Sequence, residues 1–380
     1  MDDTTTPLKK TPLTALNIEL GGKMVGFAGY DMPVQFPEGV MKEHLHTRAK
    51  AGLFDVSHMG QVILRPKSGK LEDAALALER LVPVDILGLK PGRQRYALFT
   101  DAKGGILDDL MVANRGDHLF VVVNAACKEQ DVAHMRANLS DLCDVVELTD
   151  RALVALQGPA AESALAALAP EVADMAFMDV RGVSILGVDC IVSRSGYSGE
   201  DGYEVSVPEA KAVEFVRSLL ANPDVHPIGL GARDSLWLEA GLCLYDNDID
   251  TGTTPVAAAL EWAVQKVRRS GGARAGGFPG AEVILAEFDR GAPRRRVGIA
   301  PEGRAPIRGG AALYRDETST EVVGQITSGG FGPTAEAPVA MGYVETGLSP
   351  VGTRLFAELR GKRLPVAVAA LPFISPRYKR

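Results

Sequence analysis

The sequence predicts an α+β fold that ends in an all-β segment, and three observations carry that reading. Helix-like and strand-like periodicities alternate from residue 60 to about residue 265. A Gly- and Arg-rich stretch, RRSGGARAGGFPG (268–280), then interrupts them without any period of its own. After about residue 290, short strand-like runs recur between Gly and Pro turns, the pattern of a small barrel or sandwich. A chain of 380 residues also exceeds one typical core. The expected division is 1–267 as an α+β region, 268–290 as a linker region and 291–380 as a β-rich domain.

The elements follow in chain order. LEDAALALERLVP (71–83) spaces its apolar residues as a helix does and stops at Pro83. RYALFT (95–100) and HLFVVVN (118–124) read as strands. ALVALQ (152–157) is a strand running into a helix over 158–168. Pro159 suits that helix's first turn, where its missing N–H would be unpaired anyway. CIVSRS (190–195) and GYEVSV (202–207) are strands joined by a Gly/Ser/Asp turn. PEAKAVEFVRSLLAN (208–222) and ARDSLWLEAGL (232–242) are amphipathic helices, the second breaking at Gly241. The final strands are RRRVGIAP, AALYRD, EVVGQITSGG, APVAMGYVE, RLFAELRG and RLPVAVAALPF.

Composition excludes several function classes. Hydrophobic residues make 46% and charged residues 23%, which is neither a disordered nor a collagenous mix. A net charge of −7 argues against a dedicated nucleic-acid binder. No run approaches the roughly 18 apolar residues of a membrane span. MDDTTTPLKKTPL at the start lacks the apolar centre of a signal peptide, so a cytoplasmic location is expected. Cys127, Cys143, Cys190 and Cys243 form no CxxC pair and read as free thiols. The six histidines form neither HxxxH nor HExxH, and no metal is expected. Neither a GxSxG elbow nor a GxxxxGK[ST] loop occurs. Any chemistry must rest on positioned polar groups and a supplied co-substrate.

Four segments are candidates for that chemistry. GGILDDLMVAN (104–114) puts adjacent carboxylates, Asp108 and Asp109, into an apolar strand-like run after a Gly-Gly turn. Neighbours in a strand point to opposite faces, so at most one acid faces a given pocket, and parity leaves open which. SRSGYSGEDGYEV (193–205) is either a plain hairpin connection or a loop bringing an aromatic ring and a carboxylate to a ligand. Such a carboxylate accepts two N–H donors from a heteroaromatic edge, such as that of a pterin. GLGARDSLW (229–237) lacks the third glycine of a dinucleotide fingerprint. Its Arg233 either joins surface charge pairs or turns inward toward a carboxylate or an anion. LFDVSHMG (53–60) invites a triad through Asp55 and His58, but no activated serine supports one. Arg268, Arg269 and the run 294–296 read as solvated basic loops or as a dock for an acidic carrier.

Together, KMVGFAGYDMPVQF (23–36), HLHTRAKAGLFDVSHMG (44–60), GGILDDLMVAN, ALQGPAAE (155–162), SGYSGEDGYEVSV and GARDSLWLEAGLCLYDNDID resemble the T-protein family of the glycine cleavage system, the aminomethyltransferases. The likeness continues through TPVAAALEWAV (254–264), FPGAEVI (278–284), GQITSGGFGP (324–333) and VAMGYV (339–344), and covers residues from about 10 to 378 in the family's order. It implies a three-domain cloverleaf-like arrangement, with two α+β domains and a C-terminal β-barrel. It implies tetrahydrofolate as acceptor substrate and the lipoylated H-protein as partner, with no nucleic acid or membrane partner. The family's key aspartate matches Asp109, and its pterin-binding glutamate matches Glu204. Arg233 matches a motif arginine in contact with the site, and Tyr197 a tyrosine that stacks on or bonds the folate. Tyr378, Tyr96, Met59 and Asn124 match further positions of the folate pocket. The rivals are a folate-dependent demethylase on the same scaffold and a non-catalytic folate binder. The second is usually marked by KGCYxGQE, and SGYSGEDG here has no cysteine.

Overall fold

The computed structural model describes residues 7–380. Two large sheets and a closed barrel dominate it. The first sheet orders its six strands as Val180–Ile185, Val188–Ser193, Gly202–Pro208, Arg151–Gln157, Ala51–Asp55 and Val225–Pro227. Its last pair is parallel and the others are antiparallel. The second sheet runs Gln94–Thr100, Ile106–Asn114, Leu119–Val123, Gly60–Pro66 and Cys143–Glu147, antiparallel throughout. The chain passes from one sheet to the other between Asp55 and Gly60.

Side-chain alternation assigns each face. In Gly202–Pro208, Tyr203, Val205 and Val207 enter an outer core with residues of the helices Ala161–Ala166 and Glu209–Leu220. In Ile106–Asn114, Leu110 and Val112 enter a second outer core under the helices Leu71–Leu78 and Lys128–Leu139. The inner faces meet in a shared apolar layer. Phe54, Leu153 and Ala155 come from one sheet, Ala113, Phe120 and Val122 from the other, and Ala232 and Leu236 from the helix Leu230–Glu239. Residues with the parity of Glu204 and Asp109 therefore point toward this common layer.

The barrel closes in the order Arg294–Pro301, Ala337–Glu345, Val322–Gly332, Ala312–Tyr314, Arg354–Leu359 and Lys362–Ala369. The expected α+β class with a C-terminal β-barrel is what the chain forms. Trp237 and Leu238 of the helix Leu230–Glu239 pack on Val339 and Met341 of the barrel, which ties the barrel to the two sheets.

Three local readings change. The first helix of the 71–83 run ends at Leu78, short of Pro83. Glu79 turns inward and accepts the N–H groups of Ile86 and Leu87, each at 2.9 Å. The helix after Gln157 is only Ala161–Ala166, and Pro159 precedes its cap. There Gly158, at φ +126°, and Ala160 give their N–H groups to Asp201 and Lys50. Within 268–290, expected as a linker region, residues Ala281–Arg290 form an amphipathic helix that buries Ile284. Arg268 is also buried there, giving hydrogen bonds to the carbonyls of Glu79 and Arg274.

Candidate functional site

Asp109 projects from the second sheet into the region between the sheets. The turn that delivers it depends on glycine: a Cβ on Gly105 would stand 2.0 Å from the Thr251 carbonyl oxygen. Asp109 pairs across the ladder with Leu98, and Tyr96 lies on the same face two residues away. The Asn124 amide donates to the Asp109 carboxyl at 2.8 Å, and the Tyr96 hydroxyl lies close enough to favour the ionised carboxylate. Burial and then the neighbouring Asp108 push the Asp109 carboxyl up to about 7. Among the described residues, no Lys or Arg forms an ion pair with it.

The two acids of the doublet do face apart, yet one side chain joins them. Asn124 follows the strand Leu119–Val123, where the ladder has ended and the chain turns toward the helix Lys128–Leu139. From there Nδ2 reaches Asp108 Oδ1 at 2.9 Å as well as Asp109 Oδ1. Asp108 is fully buried (0% exposed) on the helix side of the sheet. Parity predicts the divergence; only this strand end explains the bridge.

Glu204 projects from the first sheet, opposite Ala155 and Ser193 in the ladders. Burial pushes its carboxyl up, against the pull of Arg233 and a hydrogen bond from Ser195. Arg233 lies in the first turn of the helix Leu230–Glu239 with its guanidinium 5.0 Å from the Tyr197 ring centroid. Burial lowers Arg233 and Glu204 opposes this, so the two form an electrostatic pair facing the inner layer. The inward reading of Arg233 is the one the structure supports. Tyr197 gives its hydroxyl hydrogen to the Cys243 carbonyl, and its tilted ring lies 6.0 Å from Trp237. Its face, not its hydroxyl, is what remains for a ligand. Asp109 is also among the charges that raise Tyr197, so the aromatic turn and the acid strand share one neighbourhood.

Met59 packs into the inner layer beside these groups. Tyr378 stacks on Phe177 at 4.1 Å between centroids and makes no hydrogen bond to Asp109, Glu204 or Arg233. Asp55 is engaged by Thr11 at 2.7 Å, Asn17 at 2.9 Å and the Ser57 N–H at 3.0 Å, and not by His58, so no triad forms. The proposed basic dock is also altered. Arg268 and Arg296 are buried, Arg295 pairs with Glu261, and Arg269 covers Phe288. Those cations belong to the packing.

Two residues here, Trp262 and Asp131, lie outside the sequence reading, and His58 takes a place other than the triad considered for it. Trp262, 61% exposed, lies 5.2 Å from Tyr96 between ring centroids and extends an aromatic shelf toward solvent. His58 is driven down to about 3 by burial, then by Arg233 and Lys128, and stays neutral. Asp131, from the first turn of the helix Lys128–Leu139, reaches Asp108 from behind. Only its amphipathic context could have flagged Asp131, as an acid on the buried face of a helix. Among the described residues, no group of three or more His, Cys, Asp or Glu is placed to hold a metal ion. No helix among the described residues is long and apolar enough to cross a membrane.

Fold and site define a two-sheet α+β protein with an appended barrel, whose inner pocket offers Asp109, without a cation partner among the described residues, and Glu204, beside Arg233, to a substrate bearing N–H donors or positive charge. Residues 13–268 match the GCVT N-terminal domain family, and residues 294–374 match the glycine cleavage T-protein C-terminal barrel domain. The mitochondrial aminomethyltransferase of Dictyostelium discoideum is 43% identical over 98% of this chain and 94% of its own length. The human mitochondrial aminomethyltransferase is 44% identical over 98% of this chain and 91% of its own. The crystal structure of the glycine cleavage system aminomethyltransferase T from Bartonella henselae superposes with a TM-score of 0.90 at 41% identity, covering 98% of this chain and 100% of that one. The chain belongs to the glycine cleavage T-protein family.

Proposed function

We propose that this chain acts as the aminomethyltransferase of the glycine cleavage system in the following way. It takes the aminomethyl group carried on the dihydrolipoyl arm of the lipoylated H-protein and passes its methylene to tetrahydrofolate. The products are 5,10-methylenetetrahydrofolate, ammonia and the reduced arm. Tetrahydrofolate supplies the accepting nitrogens when bound. Glu204 suits the amino-pyrimidine edge, because its carboxylate can accept two parallel N–H donors and Ser195 stands near it as a minor competitor. Tyr197 offers its ring face, and Met59 closes the apolar side. Tyr96 and Trp262 continue the aromatic surface toward solvent, where the aminobenzoyl portion would lie. Arg233 works against the burial that raises Glu204 and so favours its ionised form, and Tyr378 on Phe177 borders the folate pocket.

The observation that carries this reading is Asp109. Its carboxyl is oriented by Asn124, with Tyr96 close by, and meets no cation among the described residues, so its charge is available to a positive centre brought by the substrate. Asp109 stabilises the charge that develops as the N–CH2–S unit opens, and near its shifted value it also takes or returns a proton. Orientation of arm and acceptor supplies the rest. The assay is release of ammonia and methylenetetrahydrofolate from aminomethylated H-protein. Both products should form with tetrahydrofolate present; ammonia release at the same rate without it would overturn the transfer. We place the chain in the cytoplasm; recovery from a mitochondrial fraction, as the relatives' names suggest for them, would reverse that placement.

A further inference from the structure

Behind Asp109 lies a second pair of acids that the proposed transfer does not use. Asp108 and Asp131 are 0% and 1% exposed, and their carboxyls lie within reach of each other. Asp131 Oδ2 is buried and finds no N–H or O–H donor. Two carboxylates in such contact cannot both be ionised, so the pair must hold a proton between them. Asp108 accepts at both oxygens, from Asn124 Nδ2 at 2.9 Å on Oδ1 and from the Asn124 backbone N–H at 3.3 Å on Oδ2, so it is the better stabilised of the two as an anion. The proton therefore resides on Asp131, which burial and then Asp108 hold well above the usual carboxylate range.

We propose that Asp131 is a positioning residue: as a neutral acid it donates to Asp108, and the pair, through the Asn124 amide, fixes the direction and the electrostatic surroundings of Asp109. The chain of contacts has one consistent polarity. Asp131 O–H donates to Asp108, and Asp108 accepts one Asn124 N–H. The same amide nitrogen donates to Asp109 Oδ1, so its NH2 end must face both acids. The pair carries one negative charge next to Asp109. The other titratable groups facing this cluster are Cys127 and Tyr245 on the Asp108 side, and Tyr96, Tyr197 and Cys243 on the Asp109 side. All are neutral in their ordinary state. The negative charge on Asp108 is thus the charge that sets how readily Asp109 ionises.

The inference rests on the proposed role of Asp109, and its test has one arm that does not. Infrared difference spectra of the whole protein at pH 8.5, where Asp109 is ionised, should show the carbonyl stretch of a buried protonated carboxylic acid that Asp131→Asn removes. Absence of that band from the unsubstituted protein, or its persistence in Asp131→Asn, overturns the shared proton whatever the activity. In the transfer assay, Asp131→Asn keeps a neutral donor to Asp108 and should retain kcat within about threefold, with an unmoved acid limb. Asp131→Ala should lower kcat by about 10- to 100-fold with little change in the KM for tetrahydrofolate. Asp108→Asn should shift the acid limb of kcat/KM down by about one pH unit. Equal losses in Asp131→Asn and Asp131→Ala at matched melting temperature, or a limb unmoved in Asp108→Asn, would remove the positioning role. Failure of the unsubstituted protein to transfer the methylene would instead sink the proposed function and leave the infrared result standing.

Discussion

Two clusters of buried acids in this molecule have opposite electrostatics. One joins Asp109, Asn124, Asp108 and Asp131 with no cation among the described residues. The other links the helices Val40–Ala49 and Leu230–Glu239, the 198–200 turn and the barrel. In it Arg48 meets Glu200 and Glu239, each at 2.9 Å, and Arg377 meets Glu200 at 2.8 Å. His44 and the Thr334 N–H complete the shell of Glu239 at 3.1 and 2.7 Å. Although burial pushes Glu239 up, His44, the Ala335 N–H and Arg48 together bring it down to about 2. The second cluster satisfies its acids with the protein's own cations and so locks elements together. The first leaves its acids short of positive charge, which a substrate can supply. A buried carboxylate becomes a reactive group or a rivet according to who provides its partner.

The sharpest break of this contrast is Asp109→Asn. It should lower turnover about 10³-fold while the tetrahydrofolate dissociation constant stays within about threefold, as read by single-turnover kinetics and titration calorimetry. Normal turnover would take Asp109 out of the mechanism. Next comes Arg48→Met, which leaves Glu200 with Arg377 alone and Glu239 with His44 and backbone N–H groups. Urea unfolding should register a loss of about 3 kcal/mol, since two buried acids lose a shared cation. Glu204→Ala should weaken tetrahydrofolate binding by about 10- to 100-fold, the size of a lost charge-assisted hydrogen bond. An unchanged dissociation constant would place Glu204 outside the pterin site.

The smallest effects are in pH, and the two clusters have opposite signs. Asp109 sits at about 7, above its ordinary 3.8, so its ionised form is disfavoured by the fold and kcat/KM should fall as pH drops through about 7. Its contribution to stability is fully present below 3.8 and fades as pH rises through about 7. Glu239 sits at about 2, below its ordinary 4.5, so its contribution is present above 4.5 and lost as pH falls through about 2. A pH–rate profile beside a pH series of urea midpoints separates them. An acid limb in rate that tracks the acid loss of stability would merge the two clusters into one.

Much of the fold was legible because its signals are local. The barrel strands announce themselves by alternating apolar residues between turn residues, and 294–301 is recovered end to end. The helix Ala281–Arg290 was hidden behind the glycines of 268–280, since a short amphipathic run beside a loop looks like more loop. The basic stretches misled for the reverse reason: Arg268 and Arg296 look solvated in sequence but find carbonyl acceptors inside the fold. In the site, the doublet and the Tyr197–Glu204 turn stood out by composition, and family likeness chose Asp109 from the pair.

Local pattern therefore determined which segments would be strands and helices, and which unusual acids would fall among apolar neighbours. Periodicity and turn chemistry act over a few residues and survive without the rest of the chain. What only the tertiary structure decided is the company those acids keep. Asn124 comes from the end of another strand, Asp131 from a helix behind the sheet, and Arg48 reaches Glu239 across 191 positions. Charge state in a buried site depends on distances of a few ångströms between residues far apart in sequence, and those distances exist only once the sheets, helices and barrel have packed.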